Sequence, residues 1–291
     1  MIRNLLLASR PLSWVNTAYP FAAAYLLATG GRIDAPLVVG ALFFLVPYNL
    51  LMYGVNDVFD YASDARNPRK GGAEGALLPP RMHRATLWAA ALLAAPFVVY
   101  LVVVGGPISR AVLAVSLFAV LAYSVPVLRF KERPVLDSVT SSTHFVSPAV
   151  YGIALAAGAF GTPVVALLGA FFLWGAASHA FGAVQDVVAD REAGIRSIAT
   201  AFGARATVRL AIGCYLASSV LLVVCAGLGG GWPAAVAALL PLPYALNAAP
   251  WRGVADEDSP SANRGWRRFL WLNYLTGFGV TVLLIAHALA A

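Results

Sequence analysis

The chain has 291 residues, of which 60% are hydrophobic and only 11% charged, with a mean hydropathy of +0.77. A soluble domain carries about a quarter of its residues as charges, so this composition leaves too little polar surface for water and indicates an integral membrane protein whose first partner is the lipid bilayer. The net charge of +7 gives no reason to expect nucleic acid, because basic cytoplasmic loops produce such a value in membrane proteins.

The opening residues, MIRNLLLASRP, lead from a short apolar stretch into Arg10 and Pro11 with no small-residue cleavage site, which reads as a retained amino terminus. A spanning helix needs about 20 mostly apolar residues. Nine stretches meet that need: Leu12–Thr29, Pro36–Val55, Ala85–Val104, Ile108–Val125, Val135–Ala157, Thr162–Val184, Thr207–Ala226, Trp232–Leu246 and Phe269–Leu289. The expected fold class is all-α, a polytopic membrane protein of about nine transmembrane helices in a single domain over residues 1–291. The fifth stretch is the most polar, with Asp137, Ser138, Thr140, Ser141, Ser142, Thr143 and His144 in its first half. Cys214 and Cys225, if on one helix, stand about 16 Å apart along its axis and form no disulfide there.

With the amino terminus inside, 18 of the 20 Lys and Arg residues fall on the cytoplasmic side, leaving Arg32 and Arg110 outside. This segregation fits the positive-inside rule and predicts a multi-pass cell-membrane protein with its long loops in the cytoplasm. Acidic residues do not set topology, yet 12 of the 13 lie on that same side. Bound cations or phosphates account for their crowding there.

Two acidic clusters stand out. In Asn56-Asp57-Val58-Phe59-Asp60-Tyr61-Ala62-Ser63-Asp64, the aspartates are spaced i, i+3, i+7 and share a helix face, with Asn56 one turn before Asp60. Three stacked carboxylates repel one another unless a cation neutralises them, and oxygen ligands suit magnesium held jointly by protein and phosphate. The second cluster has Asp186 and Asp190, four apart, after Gln185. It follows the first by four helices, so both emerge on one side, and the pairs Asp57/Asp186 and Asp60/Asp190 suggest two repeated halves. A solvated helix-end charge cluster is the plainer reading of the first motif, and an interfacial charge pair that of the second. Expected metal ligands are Asn56, Asp57, Asp60, Asp64, Asp186 and Asp190, with Asp60, Asp64, Asp186 and Asp190 as the catalytic set. Arg66, Arg69, Lys70, Arg129 and Lys131 stand near and are expected to contact a diphosphate, as is Asn56. The stretch Asn67–Arg84, rich in Pro and Gly, reads as a cover for the site or a plain connector. The loop Gly253–Gly265 reads as solvated and dispensable.

These clusters resemble the NDxxDxxxD and DxxxD motifs of the UbiA superfamily of intramembrane prenyltransferases, and Tyr123-Ser124-Val125-Pro126 leading to Leu128-Arg129-Phe130-Lys131 resembles that family's third cytoplasmic signature. The resemblance implies helices around a central cavity, Mg2+ between the motifs, and Tyr123 as a further diphosphate contact. Many members carry another aspartate where this chain has Ala183. More narrowly, SRPLSWVNTAYPFAAAYLL, YNLLMYGVNDVFDYASDARNPRKGG, LRFKERPVLDSVTSSTHFVSPAVYG and GAVQDVVADREAG resemble actinobacterial lycopene elongases. That implies transfer of a dimethylallyl group from dimethylallyl diphosphate to lycopene in C50 carotenoid biosynthesis.

Candidate acceptor contacts are Asn16, His144 and Gln185. His144 and His179 are candidate proton acceptors, each with a plainer reading as a hydrogen-bonded packing histidine. Two alternatives remain on sequence alone: prenylation of an aromatic acceptor in quinone or haem biosynthesis, and a cation transporter. Transport predicts carboxylates near the bilayer midplane, whereas here they crowd one face.

Overall fold

The computed structural model describes residues 2–65 and 77–290, which are helical with no strand among them. They divide into two compact units, Met1–Phe130 with His144–Ala159, and Lys131–Thr143 with Phe160–Ala291.

The first unit contains α1 (Ile2–Ala8), α2 (Val15–Thr29), α3 (Ala35–Leu45), α4 (Pro47–Phe59), α5 (Tyr61–Asp64), α6 (Pro80–Val104), α7 (Pro107–Ser124) and the second half of α8 (Leu136–Leu155). Asp34 starts α3 by accepting the Leu37 N–H at 3.1 Å, and its carboxylate also accepts the Tyr25 hydroxyl at 2.9 Å. The break between α3 and α4 follows from Pro47, which has no N–H to continue the ladder. Asn49, fully buried, repairs it: its Nδ2 donates to the carbonyls of Phe44 at 2.8 Å and Leu45 at 3.1 Å, and Thr17 Oγ1 donates to Phe44 at 2.7 Å. Polar side chains satisfy freed carbonyls in this way where lipid supplies no water. Phe21, Phe43, Phe44, Tyr48 and Tyr151 form the aromatic core.

Gly152 brings α8 against α2. A Cβ there would stand 2.6 Å from the Phe21 carbonyl oxygen, a backbone atom that cannot swing away. Small residues permit such close helix approach. We expect Gly152→Ala to cost about 2 kcal/mol of stability as overpacking, seen as a lowered unfolding midpoint in detergent. Gly213→Ala, inside α12 with a Cβ that meets nothing within 4 Å, should not lower the midpoint, because alanine favours a helix over glycine.

The second unit contains the first half of α8, then α9 (Thr162–Val184), α10 (Val187–Glu192), α11 (Ile198–Phe202), α12 (Ala204–Cys225), α13 (Gly231–Ala237), α14 (Leu242–Ala248) and α15 (Asn263–Ala290). α9 packs along α12, where Ser218 Oγ donates to the Ala170 carbonyl at 2.7 Å. Phe181, Val208, Tyr215, Tyr244, Trp251 and Phe269 fill the core. Ser197 and Thr200 open α11 with a reciprocal capping box. Cys214 and Cys225 are free thiols, as expected.

Among the described residues six segments are long and apolar enough to cross a membrane: Ala35–Phe59, Pro80–Val104, Pro107–Ser124, Thr162–Val184, Ala204–Ala237 and Ser259–Leu289. The expected count of nine is not confirmed. α2 has only 15 residues, α8 is diluted by its polar start, and the eighth stretch is broken into α13 and α14 by Pro241 and Pro243.

Candidate functional site

In the first unit the acidic cluster sits on a nearly continuous helical face. Asp60, at φ −98° and ψ −2°, closes α4, its N–H bonding the Asn56 carbonyl at 2.9 Å, and one turn later the Asp64 N–H bonds the Asp60 carbonyl at 2.9 Å. Asp57, Asp60 and Asp64 are 1%, 4% and 9% exposed. Buried carboxylates need compensating charge, and two arginines supply some of it. Arg10 Nη2 lies 3.0 Å from Asp57 Oδ1, and Arg129 Nη2 lies 3.8 Å from Asp60 Oδ1. Both arginines hold left-handed backbone, at φ +50° and +40°, a conformation that non-glycine residues keep only where their surroundings demand it.

Ser124 Oγ donates to Asn56 Oδ1 at 3.0 Å, joining the Tyr123–Pro126 signature to the first acidic motif. Neither Ser124 nor Arg10 was among the expected site residues. The adjacency of Ser124 to Tyr123 was a usable signal, whereas Arg10 had no local one. Tyr123 and His144 meet edge to face, with ring centroids 5.4 Å apart, and Asn16 is half-buried on the first turn of α2. Arg66, Arg69 and Lys70 lie outside the described residues. So does most of the expected cover, but its last five residues, from Pro80, are the start of α6, because proline favours the first helical position.

In the second unit Asp186 follows Gln185, the C-terminal cap of α9, and opens α10 at φ −100° and ψ −3°, and the Asp190 N–H bonds its carbonyl at 2.8 Å. This is the local geometry of Asp60 and Asp64, at a constant offset of 126 positions. The local match is therefore Asp60 with Asp186 and Asp64 with Asp190, one step away from the expected pairing, and the counterpart of Asp57 is Ala183. The sequence spacing misled because i, i+3 and i, i+4 share a helix face equally well.

Around this second motif, Gln185 uses both ends of its carboxamide: Nε2 donates to the Gly182 carbonyl at 2.9 Å and Oε1 accepts from Asn263 Nδ2 at 2.6 Å. Asp137 is fully buried and accepts the N–H groups of Ser138 and Ile198, each at 2.7 Å, while Ser138 Oγ meets His179 Nδ1 at 3.0 Å. Lys131 is half-buried on the turn Phe130–Glu132. Asp256 overturns the reading of its loop as dispensable. It accepts the Ala204 N–H at the start of α12 at 2.7 Å and pairs with Arg191 at 2.6 Å. The Ala204 N–H first, and Arg191 after it, hold the Asp256 carboxyl below its ordinary range, against partial burial.

Among the described residues no three His, Cys, Asp or Glu side chains converge into a ready-made metal site. That suits magnesium, which takes one or two carboxylates together with water and substrate phosphates rather than an all-protein cage. Asp60 and Asp64 in the first unit, and Asp186 and Asp190 in the second, each offer a pair of oxygen-donor carboxylates of the kind such an ion takes.

The profile of the UbiA prenyltransferase family matches residues 17–273. The chain belongs to this family. Membership bears out the expected enzyme class and fold, and removes the transporter alternative. The multi-pass membrane character read from the composition agrees with it.

Within the family, a lycopene elongase/hydratase of Corynebacterium glutamicum is 51% identical over 98% of this chain and 97% of its own length. The C(50) beta-cyclic carotenoids biosynthesis protein LbtBC of Dietzia sp. is 55% identical over 98% of this chain, which spans 65% of that longer protein. A structure of a UbiA homolog from Archaeoglobus fulgidus bound to GPP and Mg2+ superposes with a TM-score of 0.73 at 18% identity, covering 97% of this chain and 99% of that one. This last likeness is one of fold.

Proposed function

We propose that the chain transfers a dimethylallyl group from dimethylallyl diphosphate to lycopene in a magnesium-dependent reaction. The carrying observation is the recurrence of one buried or half-buried Asp-x-x-x-Asp step, with the same backbone turn, at the ends of α4 and α9. In support, relatives named lycopene elongase/hydratase align over almost the whole chain, and a homolog of the same fold was crystallised with DMAPP and Mg2+.

In this reading Asp60 with Asp64, and Asp186 with Asp190, are the metal-binding carboxylates of the two motifs. Magnesium, when bound, supplies positive charge against the leaving diphosphate, which lowers the barrier to breaking an allylic carbon–oxygen bond. Asn56 and Tyr123 orient the diphosphate, with Arg66, Arg69, Lys70, Arg129 and Lys131 adding charge-assisted hydrogen bonds. Arg129, 3.8 Å from Asp60, adds positive charge beside the first motif. Asn16 and His144 are the acceptor contacts of this reading. Gln185 is better explained as packing.

The test is purified protein with radiolabelled dimethylallyl diphosphate, magnesium and lycopene. Label should move into a carotenoid of 45 and then 50 carbons, because lycopene has two equivalent ends. No labelled lipid with any acceptor would overturn the reading.

Both acidic motifs are further proposed to face the cytoplasm, from the 18 to 2 division of basic residues. In a background lacking Cys214 and Cys225, Glu192→Cys should resist an impermeant thiol reagent on intact cells and react after lysis. Arg32→Cys, also at an exposed position, should react from outside. The reverse pattern inverts the topology.

A further inference from the structure

Arg191 follows Asp190 directly in the chain, a place from which a basic residue could serve a diphosphate. In the structure its guanidinium is engaged within the second unit. Nη1 lies 2.6 Å from Asp256 Oδ2 and Nη2 donates to the Thr200 carbonyl at 3.3 Å, so one side chain ties α10 to α11 and to the loop before α15. The other Asp256 oxygen, Oδ1, accepts the Ala204 N–H at 2.7 Å and so holds the first turn of α12. Gly203 permits that approach. Its φ of +81° is one that side chains rarely adopt, and a Cβ on it would stand 3.3 Å from Oδ1.

A second carboxylate holds the middle of the same segment. Asp137, fully buried near the start of α8, accepts the N–H of Ile198, the first residue of α11, at 2.7 Å. Between the motif and that point the chain folds back on Asp190 itself, whose carbonyl accepts the Ile195 N–H at 2.8 Å across a left-handed Gly194 at φ +71°. The backbone that leaves Asp190 is thus held by Asp137 at Ile198 and by Asp256 at both Arg191 and Ala204. An exposed ion pair alone contributes little. Here the Asp256 carboxylate also accepts a backbone N–H, and hydrogen bonds to a charged group are stronger than neutral ones.

We infer that Asp256 is a positioning residue for the second acidic motif: through Arg191 it fixes α10 against α11 and α12, so that Asp190 meets magnesium from a backbone already in place. This rests on the magnesium reading above. It makes Arg191 a strut within the protein rather than a contact of the diphosphate, and gives the loop before α15 a part in metal binding.

The test uses the full chain in detergent, with manganese and inorganic pyrophosphate as probes. Hydrogen exchange of the metal-free protein reads the clamp, electron paramagnetic resonance reads manganese affinity, and thermal unfolding reads global stability. Asp256→Asn should speed exchange across residues 187–204 about tenfold, as a charged hydrogen-bond partner is lost. It should also weaken manganese affinity about tenfold, the scale expected when a residue that orients a metal ligand is removed. Arg191→Met should do the same to both. Arg191→Met/Asp256→Asn should do no more than either alone, because the two residues act as one link. Arg191→Lys, which keeps the charge, should recover most of the affinity. A merely structural loss would lower the unfolding midpoint and leave the affinity of the folded protein as it was.

A diphosphate contact behaves differently. Arg191→Met would then weaken manganese binding only when pyrophosphate is present and leave exchange unchanged, while Asp256→Asn, which releases the arginine, would bind at least as well as the unmodified chain. Either result overturns the inference and leaves the magnesium reading standing, as does faster exchange with unchanged manganese affinity. If Asp256→Asn does not fold, Arg191→Met and Arg191→Lys decide the same question from exchange and affinity. No manganese binding to the unmodified chain overturns the magnesium reading and this inference with it.

Discussion

Asp60→Ala and Asp186→Ala should each lower prenyl transfer by at least about a hundredfold, and chelation of divalent metal should abolish it. A hundredfold loss is about 2.7 kcal/mol of transition-state stabilisation, within the several kcal/mol that a metal clamp on a departing phosphate supplies. Both residues occupy the turn between a long and a short helix, at φ near −100° and ψ near 0°. Alanine adopts that backbone readily, so the substitutions remove a carboxylate and keep the chain path. The complication is Arg129, which loses a partner in Asp60→Ala and is left less compensated. Asp60→Asn addresses this by keeping the shape while removing the charge. If Asn and Ala variants are equally inactive yet unfold at the midpoint of the unmodified chain, the charge is the missing element. Recovery of turnover in Asp60→Asn would assign Asp60 a structural role.

The helices most legible in the sequence were those whose apolar runs are ended by turn residues. The expected Thr162–Val184 coincides with α9, and Ile108–Val125 differs from α7 by one residue at each end. Hydropathy is a sum over a window, so it is blind to a single backbone defect. It therefore missed the break at Pro47 inside the second stretch and the division of the eighth.

The candidate site shows the same contrast. The acidic motifs were legible because their spacing is local. The Arg10–Asp57 pair joins positions 47 apart, and nothing local in either segment announces it. Its existence also changes the physical argument from sequence, in which three crowded carboxylates called for a metal. Two of them have an arginine within 3.8 Å, so crowding alone does not establish an ion. The stronger ground is the repeated turn at Asp60 and Asp186, whose register only the backbone angles reveal.

Supplied separately with lycopene, 4-hydroxybenzoate and 1,4-dihydroxy-2-naphthoate, together with short and long prenyl diphosphates, the protein should prenylate lycopene alone and use the five-carbon donor. An aromatic acid brings a carboxylate, which is costly to bury in an apolar site without a cation to receive it. One basic residue that could do so is Arg10, between α1 and α2. In the structure Arg10 is held by Asp57 at 3.0 Å and stacked on Tyr53, so its charge is already partly compensated and a second carboxylate gains less from it. A hydrocarbon makes no such demand, and its uptake depends on apolar area removed from water and lipid contact. The discrimination should appear as product with lycopene and none above background with either acid. It should weaken in Asp57→Asn, where Arg10 is released from its partner and becomes available to a carboxylate. Prenylation of an aromatic acid by the unmodified protein, with lycopene untouched, would remove the carotenoid assignment and leave the prenyltransferase standing.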